Sequence, residues 1–224
     1  ANKTWVQYSF NELYKPVDRT LWGPGAPANL INAFYDPTKN DITFPAAILQ
    51  KPFYSSDNTL SENLGGIGVV IAHEITHAFD PNGSKFDEFG NIRNWWSEED
   101  YNKFTELSQA EIELFDGIIC GGLKTNGKLT VGENVADLGG LTVAVETAKK
   151  ENGNLQELFQ AWAKIWRGKM MPQFRKSIIA YDSHAPSELR SNVPAQCIDD
   201  FYQTFNIQPI DGMWLDPEKR VHIW

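Results

Sequence analysis

Residues Ile67-Gly68-Val69-Val70-Ile71-Ala72-His73-Glu74-Ile75-Thr76-His77 set an H-E-x-x-H pattern directly behind an apolar run. The run predicts a buried helix. At 3.6 residues per turn, positions i and i+4 lie one above the other, so the imidazoles of His73 and His77 can reach a single metal ion while Glu74 points beside it. Composition does not produce this pattern by itself: with 4 His in 224 residues, a shuffled chain contains on the order of 0.004 matches. One histidine on an apolar helix is ordinarily a core residue. Two of them bracketing a glutamate, in a chain this poor in histidine, point to a zinc site with its own base.

Catalytic zinc takes three protein ligands and a water, so a third ligand has to come from elsewhere in the chain. The extended form H-E-x-x-H-x-x-G-x-x-H is excluded, because Asp80 and Gly83 occupy its last two fixed positions. A glutamate on a separate helix is the other solution, and Val131-Gly132-Glu133-Asn134-Val135-Ala136-Asp137-Leu138-Gly139-Gly140 supplies one. Glu133 and Asp137 are again i and i+4. Glu133 could bind the metal while Asp137 accepts the N–H of a ligating histidine and so fixes its tautomer. Most E-x-x-x-D pairs are solvated surface acids, and this spacing alone does not separate the two readings.

Three segments in order resemble the neprilysin and endothelin-converting enzyme family of zinc endopeptidases: Asn32-Ala33-Phe34-Tyr35 with Phe44-Pro45-Ala46-Ala47-Ile48-Leu49-Gln50, then His73 to Asp80, then Gly132 to Asp137. The resemblance implies an α+β, thermolysin-like zincin catalytic domain over residues 1–224, mostly helical with a small sheet that carries a substrate-binding edge strand. It implies one Zn2+ per chain on His73, His77 and Glu133, with Glu74 catalytic, Asp137 supporting a ligand histidine and Asp80 in a similar supporting role. Asn32 and Ala33 are expected to hold the substrate backbone. His184-Ala185-Pro186-Ser187-Glu188-Leu189-Arg190 is similar to a later motif, in which His184 steadies the transition state and Arg190 binds a substrate carbonyl. Oligopeptides are the implied substrates, with hydrophobic residues preferred after the cleaved bond. Family members are longer, and a helical domain closes over the site. That domain is an expected partner, and the segment alone is expected to bind zinc but cleave peptides poorly. The chain ends Val221-His222-Ile223-Trp224 rather than in a Cys-x-x-Trp tail, a departure that favours a bacterial member.

The chemistry follows from residue types as well. Zinc polarises a scissile carbonyl and brings the pKa of its bound water toward about 7. Glu74 is placed to take that proton and pass it to the leaving amine, and general acid–base help of this kind is worth roughly 100- to 10,000-fold. His184 can stabilise an oxyanion, and the planar fork of Arg190 suits a peptide carbonyl.

A length of 224 residues with 42% hydrophobic content suits one domain with a sizeable core. No apolar run reaches the roughly 18 residues of a membrane span, and a net charge of −9 argues against nucleic acid or anionic membrane surfaces as partners. No signal peptide is visible, so an exported or a cytoplasmic location stays open. Cys120 and Cys197 could form at most one bridge.

Leu30 to Asp36 and Ile42 to Leu49 read as strands of a hairpin, with Pro45 marking an edge or irregularity. Ser61 is a candidate cap for the zinc helix, which Pro81-Asn82-Gly83 stops. Further helices are expected from Ser97 to Phe115, from Val131 to Lys150 and from Asn154 onward, and a last one with Pro194 in its first turn runs through Phe205. Trp95, Trp96, Trp162 and Trp166 are expected in the core. The first thirty residues, with Gly23-Pro24-Gly25-Ala26-Pro27, look irregular and suited to packing against the preceding domain. Two functional classes stand: a zinc endopeptidase, and a non-catalytic module folded by its metal. Structural zinc sites mostly use four protein ligands, which favours the first.

Overall fold

A computed structural model describes residues 2–16, 18 and 26–223; Gly23, Pro24 and Gly25 of the expected irregular start lie outside them. Helix α1 spans Asn2–Glu12, so the beginning of the chain is more regular than its sequence suggested. Among the described residues the sheet content is two short antiparallel hairpins. Strands β1 (Phe34–Asp36) and β2 (Asp41–Thr43) pair with Tyr35 opposite Ile42. Both are shorter than expected. Pro45 ends β2, and Ala46–Ile48 form a 3-10 turn behind it, because proline offers no N–H to a ladder. Asn32 and Ala33 precede β1 and lie outside it rather than within a strand.

The helical segment that carries the H-E-x-x-H pattern is assembled in pieces. Helix α2 (Leu60–Asn63) starts on a capping box in which the Thr59 hydroxyl accepts from the Glu62 N–H and the Glu62 carboxylate accepts from the Thr59 N–H. Ser61, the expected cap, instead lies inside this helix, where its hydroxyl accepts from the Asn154 N–H at 2.7 Å. A π-turn, Leu64–Gly68, follows, with Gly66 at φ −97° and ψ −105°. A Cβ on Gly66 would come within 2.2 Å of the Phe53 carbonyl oxygen. Helix α3 (Val69–Thr76) then carries His73 and Glu74, and a 3-10 turn, His77–Phe79, carries His77.

Helix α4 (Glu98–Phe115) is capped by Ser97, as expected. Strands β3 (Ile119–Cys120) and β4 (Leu123–Lys124) turn the chain back into α5 (Gly127–Lys150), capped by Asn126 one turn earlier than expected. Helix α6 (Leu155–Ile165) starts on Asn154, as expected. Helices α7 (Pro172–Tyr181), α8 (Ser187–Gln196) and α9 (Asp199–Phe205) complete the chain. Pro194 lies inside α8 instead of opening the last helix, which begins at Asp199.

The centre of α5, Asn134 to Leu141, is buried throughout. It packs across α3, α4, α6 and α8 in one core that includes Val69, Leu138, Leu141, Leu158 and Trp162. Against α3 the two backbones come close at Gly140, where a Cβ would stand 2.9 Å from both the His73 nitrogen and the Val69 carbonyl oxygen. Trp162 is buried, as expected of a core residue; Trp95 is 41% exposed and stacks on Trp96 outside the main core. Cys120 and Cys197 are both free thiols. No helix of the described residues is long and apolar enough to cross a membrane.

Candidate metal centre

Helices α3 and α5 bring His73, His77 and Glu133 together. His73 Nε2 and His77 Nε2 are 3.0 Å apart, and Glu133 Oε2 lies 3.4 Å from the first and 3.7 Å from the second. Each imidazole is fixed from behind. His73 Nδ1 faces Asp137 Oδ1 at 2.8 Å, and His77 Nδ1 faces Asp80 Oδ2 at 2.7 Å. Asp80 is held in turn by the N–H groups of Asn82 and Gly83, which donate to its Oδ1 at 2.6 and 2.8 Å. With each Nδ1 facing a carboxylate, the two Nε2 atoms and the Glu133 oxygen converge on one point.

Three acceptors aimed at each other repel unless a cation sits between them. Glu133 Oε2 is buried and has no hydrogen-bond partner, although cationic side chains crowd it. Ligand atoms in a tetrahedral zinc shell lie about 3.3 to 3.6 Å apart; the observed 3.0, 3.4 and 3.7 Å bracket that spacing. The donor set N, N, O fits a zinc ion with one position open. Free of metal, the same cluster favours a proton: burial opposes charge on His73, but Asp137 and Glu133 outweigh it and lift its pKa to about 9. Glu133 is held well below the usual carboxylate range, against its burial, by His184 and His73.

Glu74 is 5% exposed, and burial raises its pKa above the ordinary carboxylate value against the pull of His73 and His77. It lines the same cavity, about 540 Å³ in volume, as the three candidate ligands. Asn32 and Ala33 line the cavity's rim, and among the described residues their backbone groups join no strand. Its apolar floor includes Ile48, Phe53, Val70 and Trp162.

His184 and Arg190 close the far side. His184 Nε2 is 3.2 Å from Glu133 Oε2, and its Nδ1 and backbone N–H both bind Asp182 Oδ1. Arg190 Nε and Nη2 donate to the two Asp137 oxygens at 2.6 and 2.8 Å, and its guanidinium lies 4.3 Å from the centroid of the Trp166 ring. Asp137 thus couples Arg190 to His73. Trp166 is partly buried: it packs against the main core, as expected, and also lines the cavity. Asp182 was not singled out from the sequence, and Trp162 and Trp166 were read as core residues rather than as cavity lining. Asp182 left a signal, the D-x-H spacing to His184; the cavity-lining role of the two tryptophans left none.

Residues 32–221 match the sequence profile of Peptidase family M13. The chain is 49% identical to the neutral endopeptidase of Lactobacillus helveticus over 98% of its own length and 34% of the relative's, and 34% identical to endothelin-converting enzyme 1 of Bos taurus over 100% and 31%. Among solved structures, it superposes on PepO from Lactobacillus rhamnosis HN001 with a TM-score of 0.87 and 48% identity, covering 93% of this chain and 33% of that one. For the Mycobacterium tuberculosis zinc metalloprotease ZMP1 in complex with inhibitor, the values are 0.91, 38%, 97% and 36%. The chain spans about a third of the length of these relatives. Its zincin fold, its metal-centre geometry and the profile match agree: the chain belongs to Peptidase family M13.

Proposed function

We propose that this chain is the catalytic segment of a zinc-dependent endopeptidase that hydrolyses peptide bonds of oligopeptides, with His73, His77 and Glu133 holding one zinc ion. The observation that carries this reading is the convergence of three possible ligand atoms, from His73, His77 and Glu133, beside a buried glutamate in an open cavity. When bound, zinc supplies a polarised carbonyl and an acidified water. Glu74, raised above the ordinary carboxylate range by burial, accepts the proton of that water and returns it to the leaving amine. His184, oriented by Asp182, donates to the oxyanion, and Arg190, held flat by Asp137 and Trp166, donates to a substrate carbonyl. The backbone of Asn32 and Ala33 receives the substrate backbone as an added strand. The apolar floor takes the hydrophobic residue after the cleaved bond.

A site that only folds the domain would be closed by a fourth protein ligand; here the fourth side faces the cavity. The test is Glu74→Gln. Zinc should remain bound while peptide hydrolysis collapses, and unchanged hydrolysis would reject the base. The segment alone is expected to bind zinc and to cleave peptides poorly, its efficiency restored in a protein of natural length by the helical domain that closes the cleft. Efficient turnover by the segment alone would refute that dependence.

A further inference from the structure

Glu111 is the charged side chain that the proposed mechanism leaves unused and that the fold buries most deeply among the glutamates, at 1% exposure. It lies on the stripe Phe104, Ser108, Glu111, Phe115 that α4 turns inward, and α5 packs across this helix. Neither carboxylate oxygen has a hydrogen-bond partner. Two other buried side-chain oxygens are also without hydrogen-bond partners: Ser108 Oγ, one turn before Glu111 on α4, and Asn134 Oδ1 on α5, whose amide nitrogen donates to Thr130 Oγ1 at 3.0 Å. Asn134 is 0% exposed and stands one turn before Asp137 on the same buried helix.

The charged and titratable groups that face Glu111 offer nothing to an anion. Asp137, on α5, is itself negative, and its Arg190 partner on α8 is committed to it by two hydrogen bonds. Cys197, at the end of α8, is a thiol that burial and then Glu111 push up to about 12, so it stays neutral. Arg220, which acts on Cys197, is engaged by Asp199 and the Leu215 carbonyl. An ionised carboxylate without donor or cation in a dry interior is heavily penalised, whereas the neutral acid escapes most of that penalty.

We propose that Glu111 is a positioning residue carried as a neutral carboxylic acid on the buried face of α4, and that its neutrality steadies the packing of α4 against α5, the helix that presents Glu133 and Asp137 to the cavity. Deprotonation releases this proton to solvent and leaves a second negative charge behind Asp137. Burial first, and Asp137 second, raise the Glu111 pKa to about 8 from an ordinary 4.5. The folded state therefore holds a proton that the unfolded chain has lost. Stability from this group is complete below about pH 4.5, falls as pH rises toward 8, and is flat beyond.

The experiment compares wild type with Glu111→Gln, and with Glu111→Leu in case the amide fails to fold, in zinc-loaded protein of full natural length. The infrared spectrum at pH 7 should contain a protonated-carboxyl C=O band that both variants lack; its absence from the wild type overturns the neutral acid. The thermal midpoint of the variants should gain on the wild type as pH is raised from about 5 to about 9; a constant difference overturns it as well. The positioning role rests on the peptidase reading, and its readout is the alkaline limb of kcat/KM, which should move to higher pH in Glu111→Gln. An unmoved limb rejects positioning while leaving the infrared result standing, and absence of any hydrolysis by the wild type is a failure of the peptidase reading alone.

Discussion

Helices α1 and α5 show two ways in which a segment becomes helical. None of the residues of α1 is buried, and its contacts are local: Trp5 stacks on Tyr8 at 5.6 Å, and Gln7 donates to Asn11. Trp5, Val6, Tyr8 and Phe10 remain about half exposed. In α5 the central residues have no exposed side at all, and their partners lie far away in the chain, His73 on Asp137 and Arg190 on Asp137. The difference teaches where chemistry can be built. A metal centre needs donors held to a fraction of an ångström, and only packing that locks rotamers from several helices provides that.

The comparison can be broken most decisively at the α3–α5 seam. Glu74→Gln, in protein of natural length, is expected to lower kcat by roughly 100- to 10,000-fold with zinc retained, as read by peptide turnover and metal content. Gly140→Val inserts side-chain atoms where even a Cβ would lie 2.9 Å from the backbone of His73 and Val69. It should cost about 1 to 3 kcal/mol or more in denaturant unfolding and weaken zinc binding through displaced His73. Asp137→Asn removes the charge that orients His73 and anchors Arg190. Its expected effect is a loss of about 10- to 100-fold in zinc affinity, measured by competition with a chelating dye. At the other end of the scale, Phe10→Ser on α1 should change the stability of this 224-residue chain by no more than about 0.5 kcal/mol, because the side chain packs on no core. A large loss there would show that α1 is anchored in a way its exposure denies.

What the sequence made legible follows the same division. The H-E-x-x-H spacing works because helix geometry alone stacks His73 over His77, and the Glu133–Asp137 pair is read by the same rule. Helices with a capping residue and an apolar stripe, α4 from Ser97 and α6 from Asn154, were equally readable. The scattered apolar residues of α1 gave no stripe, and α8 has little periodic face to announce it. Pro194 looked like a helix start because proline favours first turns; in α8, packing among buried Val193 and Ala195 overrides the one backbone bond it removes. Strands β1 and β2 came out short because a two-stranded ribbon has few partners to extend it, and Pro45 takes one donor away.

By itself the sequence determined the H-E-x-x-H pair with its acid, since that is set by spacing within a single helix, and offered Glu133 and Asp137 as candidates through the resemblance of their segment. Only the tertiary structure decided that the two helices meet, at a contact close enough to require Gly140, and that Asp137 serves His73 and Arg190 at once. It also decided that Trp166 belongs to the cavity wall and that Glu111 is sealed in without a partner. Those are properties of distances between residues far apart in the chain, and no local periodicity encodes them.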